Sequence, residues 1–172
     1  TPLALIRALL KRSGELKDVE LVSISTFGDA GFGAPEVGES FFMNSLFVSG
    51  NVRDVVNGPH GDHVPVFLSE IPRLFDQRIL PLDVAIVHVS PPDAHGFCSL
   101  GVSVDVARAA VRNAPILIAQ VNPNMPRTHG EGNVHADRFN ALVEVDDPLP
   151  EIDYSSLIGE REQRIGGQCA AL

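Results

Sequence analysis

The chain has 172 residues, enough for about one domain that buries ~70% of its unfolded surface. Apolar residues make up 44% and charged residues 20%, an ordinary globular balance, and no apolar run approaches the ~20 residues that span a bilayer. A net charge of −9 with two lysines, Lys11 and Lys17, argues against nucleic acid or an anionic membrane as partner. The two cysteines, Cys98 and Cys169, make no disulfide framework. With no secretory signal pattern at the start, a cytoplasmic setting is the expectation.

Thr1-Pro2 reads as a helix start, a hydroxyl at the N-cap and proline at the first helical position. Leu3, Ile6 and Leu10 form its apolar stripe, and Lys11, Arg12 and Gly14 close it. Val19 to Ser25 reads as a strand. An open glycine-rich loop follows, from Gly28 to Gly38, too irregular for a dinucleotide fingerprint. Phe41 to Val48 reads as another strand, and Asn51 as the cap of a short helix ending at Gly58. His63 to Phe67 is a short strand candidate. Ser69 is expected to cap a helix with Pro72 in its first turn and Leu74 and Phe75 facing the core.

The chain is organised around Asp83 to Gly101. Val84 to Val89 is a compact, β-branched apolar run, the signature of a strand buried on both faces. The sequence then breaks at Pro91-Pro92, passes through Asp93, His95 and Gly96, and resumes helical spacing from Val102 to Asn113. Pro115 to Val121 is a second buried strand, followed by a long polar loop from Asn122 to Arg138, a short strand from Ala141 to Val145 and a turn at Asp147 to Pro150. Ile158, Ile165, Cys169 and Leu172 fall on one face of a final helix. That helix ends without a cap, and the first residue is Thr1. Both features suggest one domain cut from a longer chain. Alternation of strands and helices predicts an α/β fold with right-handed crossovers and a largely parallel sheet flanked by helices. Ligand sites in such folds form at the carboxyl ends of the strands, which directs attention to the loops after Val89 and Val121.

Three stretches, Ser90 to Asp105 (SPPDAHGFCSLGVSVD), Ile118 to Gly130 (IAQVNPNMPRTHG) and Val143 to Glu151 (VEVDDPLPE), resemble the amino-terminal half of the acetyl-CoA hydrolase/transferase family, which includes 4-hydroxybutyrate CoA-transferases. The resemblance extends to the opening TPLALIRAL, to Val64–Pro72 and to ILPLDVAIVHVS. It implies a NagB/RpiA/CoA-transferase-like layer, residues 1–172 forming the amino-terminal domain of a two-domain enzyme with its active site between the domains. In the family a glutamate takes the acyl group from a CoA thioester, passing through an acyl-glutamyl anhydride and a glutamyl-CoA thioester, and a glycine-rich loop stabilises the oxyanion. The resemblance places both in the carboxyl-terminal half, beyond Leu172. No catalytic residue is therefore assigned in this chain, and Gly28–Gly33 is not the oxyanion loop.

The residues expected to line the substrate site are Ser90, Pro91, Asp93, His95 and Gly96 in the first loop, and Asn122, Met125, Arg127, Thr128 and His129 in the second. A polar loop this long is uncommon unless functional, although solvation also accounts for it. Arg127 stands between a contact to an anionic group of coenzyme A and a plain structural salt bridge. Cys98 and His95 lie close in sequence, but such pairs meet through the fold, and a small residue packed at a strand–helix turn accounts for Cys98 equally well. His60, Asp62 and His63 follow Gly58-Pro59, which does not build a rigid ligand pair, so no metal is expected. Glu70, Glu131 and Glu144 each have a sufficient structural role. The expected ligands are an acyl-CoA, as substrate rather than resident cofactor, and a short-chain carboxylate. The carboxyl-terminal domain is the expected protein partner, and homo-oligomerisation is left open. A CoA-transferase, a hydrolase using water as acceptor, and a non-catalytic binding module remain the three readings.

Overall fold

The computed structural model describes residues 1–151 and 153–171. Along the chain run α1 (Leu3–Leu10), β1 (Val19–Ser23), α2 (Pro35–Gly38), β2 (Phe41–Ser45), α3 (Arg53–Val56), β3 (Gly61–His63) and α4 (Ile71–Asp76). The second half contributes β4 (Val84–Val89), β5 (Phe97–Ser99), α5 (Asp105–Asn113), β6 (Ile116–Val121), β7 (Asn133–His135), β8 (Ala141–Glu144) and α6 (Glu160–Ala170). The strands form two three-stranded parallel sheets, β1-β2-β3 and β4-β6-β8, and an antiparallel ribbon of β5 and β7. The expected α/β architecture with parallel pairing and flanking helices is present, distributed over two sheets.

Three apolar clusters hold these layers together. One lies under β1 and β2 and includes Leu10, Phe32, Val37, Phe41 and Met43. A second joins β4 and β6 to the ribbon through Val87, Val89, Cys98, Leu100, Leu117, Ala119 and Val134. Between the sheets sits the third, where Ile71 and Phe75 of α4 meet Val106 and Ala109 of α5 and Leu46 after β2. Burial on this scale supplies the main folding force, roughly 25 cal/mol per Å² of apolar surface. The adjacent strands β4 and β6 are accessible at their starts, Val84 and Ile116, and buried toward their ends. Their carboxyl ends therefore emerge rigidly from the core.

Several local expectations are corrected. Thr1 does not cap α1. Its hydroxyl accepts from the Phe27 N–H, and the free amides of the first turn, those of Ala4 and Leu5, donate instead to Oε1 of the fully buried Gln120 at 3.0 and 3.4 Å. A helix start satisfied from another element needs no local cap. Asn51 is likewise not a cap, since its amide donates to the carbonyls of Thr26 and Gly28 and α3 begins after Val52. Ser69 falls within a 3-10 turn, Leu68–Glu70, ahead of α4. The strand expected at His63–Phe67 is Gly61–His63, because Pro65 has no N–H to extend the ladder. The first two strands stop at Ser23 and Ser45, short of Ser25 and Val48, and α5 starts at Asp105 rather than Val102.

In α6, Ile158 lies just before the helix and Ile165 and Cys169 within it, and all three are exposed. Leu172 lies outside the described residues. Gln120 ties α1 to the sheet, so Gln120→Ala is expected to cost about 2 kcal/mol through two lost acceptor contacts and a small cavity. Hydrogen exchange should then accelerate at Ala4 and Leu5 well before it does in β4. Unchanged protection there would show that α1 is held by its apolar stripe alone.

Candidate functional site

The loop after β4 folds back on itself through β5. Asp93 closes the turn: its Oδ1 accepts from the N–H groups of His95 and Phe97, each at 2.9 Å, while the Asp93 N–H donates to the Phe97 carbonyl. Gly96 takes φ +81°, a left-handed conformation that suits glycine, and the His135 ring lies where a β-carbon would project. His135 also meets Phe97 edge-to-face, ring centroids 5.0 Å apart. The turn is thus built on the β5–β7 ribbon.

The loop after β6 is stapled to it by Arg127 and Thr128. Arg127 Nη1 donates to the Phe97 carbonyl at 2.9 Å and to Ser90 Oγ and the Pro91 carbonyl at 3.2 Å, and Nη2 pairs with Asp93 Oδ2 at 2.9 Å. Ser99, 0% exposed, presents one hydroxyl oxygen to the N–H groups of Gly101 and Thr128, both at 3.1 Å. Thr128 Oγ1 in turn donates to the Gly101 carbonyl. Ser90 accepts from the Ser99 N–H at 2.9 Å. Asn122 is fully buried, donating to the Asp147 carbonyl and accepting from the Asn124 N–H, and Asn124 reaches Asp146. Met125 is buried against Gly101.

All ten residues named from the sequence thus converge on the carboxyl ends of β4 and β6, in two roles. Ser90, Asp93, Gly96, Asn122, Met125, Arg127 and Thr128 build the scaffold. Pro91, His95 and His129 are exposed, and among the described residues the two imidazoles make no side-chain hydrogen bond. The structure adds Phe97, Ser99, Gly101, His135 and Asp147, which the sequence reading missed. The signal for Phe97, Ser99 and His135 lay in two short strands hidden in what read as loop, while Gly101 and Asp147 lie in the turns beyond β5 and β8.

Electrostatics agree with a scaffold. The Asp93 carboxyl lies below the ordinary carboxylate range because the Phe97 and His95 amides and Arg127 favour its ionised form. A carboxyl depressed on folding stabilises the fold above the unfolded value of about 3.9 and ceases to do so as pH falls through its own lower value. Protection of the His95 and Phe97 amides is therefore expected to fade only below about pH 3.9, and not through that window in Asp93→Asn. A wild-type midpoint at or above it would contradict the turn geometry. Burial pushes the Cys98 thiol up, toward the unreactive protonated form. His88, on β4, is held toward neutrality chiefly by burial. Among the described residues no three His, Cys, Asp or Glu side chains converge as a metal site. Within the suspected trio, His63 bonds the Ser45 carbonyl and Asp62 accepts the His63 N–H, while the His60 ring packs over Gly38. No helix among the described residues is long and apolar enough to cross a membrane.

Residues 1–154 match the profile of the acetyl-CoA hydrolase/transferase N-terminal domain. The chain belongs to that family. It is 39% identical over 171 residues to the 4-hydroxybutyrate coenzyme A transferase of Clostridium kluyveri, covering 99% of this chain and 40% of that protein. It is 41% identical over 168 residues to a succinyl-CoA:acetate/propanoyl-CoA:succinate CoA transferase of Fasciola hepatica, covering 96% and 34%. Among solved structures, a 4-hydroxybutyrate CoA-transferase from Porphyromonas gingivalis superposes with a TM-score of 0.78 at 32% identity, over 99% of this chain and 38% of that one. RipA from Yersinia pestis gives 0.81 at 30% identity, over 88% and 38%. The chain thus spans well under half the length of each relative. As a member of this family it carries the two loops on that family's amino-terminal domain.

Proposed function

We propose that this chain is the amino-terminal half of an acyl-CoA:carboxylate CoA-transferase, and that its Ser90–Gly101 and Asn122–Gly132 loops form one wall of the acyl-CoA site. The observation that carries this reading is the division of roles in those loops. A fully bonded interior fixes the backbone, while Pro91, His95 and His129 stand exposed on it. Such a wall orients a ligand without attacking it, because its one thiol is buried and protonated and Asp93 is fully engaged. Bond making then falls to a glutamate in the remainder of the polypeptide, and the chain alone is inactive. Relatives that act on 4-hydroxybutyrate and on succinyl-CoA with acetate support a short-chain acyl group and a carboxylate acceptor. Coenzyme A enters as substrate and leaves as product. A cytoplasmic location belongs to the same proposal, supported by Cys98 and Cys169, which are both free thiols.

The full-length polypeptide tests the acceptor. Given acetyl-CoA and butyrate, a transferase forms butyryl-CoA while total thioester is conserved. Equal thioester loss with and without butyrate would replace this reading with hydrolysis.

A further inference from the structure

Strands β1 and β4 each end a sheet, and each turns a row of peptide groups away from its one partner. The Val19 N–H donates to the Ser40 carbonyl and the Ser23 carbonyl accepts from the Leu46 N–H. Peptide groups alternate sides along a strand, so Val19, Leu21 and Ser23 face β2 while Glu20 and Val22 face outward. In β4 the ladder to β6 is flanked by bonds from the Ile116 N–H to the Asp83 carbonyl and from the Asn122 N–H to the Val89 carbonyl. Val84, Ile86 and His88 therefore face away from β6. Among the described residues no backbone hydrogen bond reaches these five outward positions. Parallel strands are normally buried, and their edges paired or covered.

The same helices cover both sheets. On one face, Leu21, Phe41 and Met43 pack with Leu10 of α1, Val37 of α2 and Val55 of α3. On the other, Val22 packs with Ile71 and Phe75 of α4 and with Val106 and Ala109 of α5. Helix α5 then continues onto Val87 and Leu117 through Val111. Such a distribution is a doubly wound layer: the chain starts at the central strand, winds to one edge with helices on one face, and returns to wind outward on the other. The first helix of that topology follows the central strand, yet α1 follows none. Its start is pinned between the two free edges. Thr1 Oγ1 accepts from the Phe27 N–H just past β1, and the Thr1 carbonyl meets His88 Nδ1 on β4 at 3.2 Å. His88 is buried, and its Nε2 has no partner among the described residues.

We infer that the full polypeptide inserts a parallel strand between β1 and β4, supplied by the segment immediately before Thr1. The chain spans 40% of the C. kluyveri relative, so a longer polypeptide has residues to supply it. With β1 and β4 five and six residues long, the inserted strand has about the same length. Buried on both faces, it is apolar and rich in β-branched residues. It joins the two three-stranded sheets into one, in the order β3-β2-β1-inserted strand-β4-β6-β8. Its carboxyl end then opens at the switch point, between the loops after β1 and β4. The test is hydrogen exchange of the full-length polypeptide beside a version that starts at Thr1, read at the backbone and so independent of the reaction catalysed. In the full-length protein the amides of Glu20, Val22, Ile86 and His88 are expected to be protected to the level of Leu21 and Val87. Without the segment they are expected to exchange about a hundredfold faster or more, while Leu21 and Val87 stay protected. Free exchange at the four outward amides of the full-length protein would overturn the inference. So would protection that survives removal of the segment, since a second copy or a later part of the polypeptide would then be pairing the edges. If the shortened version does not fold, amide-to-amide contacts in the full-length protein decide. Val22 and Ile86 are expected to contact residues before Thr1, and contact with any other segment would overturn the inference.

Discussion

Gly101→Ala is expected to destabilise the protein by about 3 kcal/mol, from two additive sources of strain. Gly101 takes φ +60°, a left-handed conformation that costs an L-residue about 1 kcal/mol. An alanine β-carbon would also overlap the Met125 side chain and lie 2.9 Å from the Pro126 carbonyl. Met125 is 3% exposed and cannot swing away; overpacking of this kind costs about 1–3 kcal/mol. At about 2–4 °C per kcal/mol for a chain of this size, the melting temperature drops by roughly 10 °C. Thermal unfolding of the variant beside wild type measures it, and a drop under about 2 °C would show that Met125 and its loop yield easily. A yielding loop would be a poor wall for the site.

Ser99→Ala is expected to cost a similar amount by a different route. The hydroxyl oxygen is the acceptor for the N–H groups of Gly101 and Thr128, and it is wholly buried, so water cannot replace it. Each orphaned donor costs about 1–3 kcal/mol, and about 3 kcal/mol in total is expected. The loss should be local first. Amide exchange at Gly101 and Thr128 is expected to accelerate by more than tenfold, with that in β6 following only the global change. Uniform acceleration across the chain would mean that the two loops do not depend on this serine as a hinge pin.

Burial and periodicity made much of the fold legible. The apolar runs at Val84–Val89 and Pro115–Val121 are two adjacent strands of the second sheet, and the ends of those runs locate the candidate loops. Elements that depend on partners distant in sequence were not legible. The ribbon of Phe97–Ser99 and Asn133–His135 is three residues a side, too short for an alternating pattern to register. Caps misled for the same reason: Thr1 and Asn51 have cap chemistry, yet their side chains reach other loops. The chain also carries two sheets where one was expected, since composition does not reveal which parallel strands are neighbours.

Arg127 shows the limit most clearly. From sequence it stood between an anion contact and a structural pair. The geometry shows its guanidinium bonded to Ser90, Pro91, Asp93 and Phe97, which makes it the staple of the two loops. Alternatives of that kind are decided by where the carbonyls lie, and no residue pattern encodes their positions.

The central claim is that these residues orient an acyl-CoA and do not break it. Thioester consumption and exchange by the 172-residue chain, shown folded by circular dichroism, tests this most directly when acetyl-CoA is supplied with and without butyrate and the full-length polypeptide runs in parallel. The account predicts no turnover from the folded chain and butyryl-CoA formation by the full-length protein. Turnover by the chain alone would contradict it, and would place the chemistry among His95, Cys98 and Glu131.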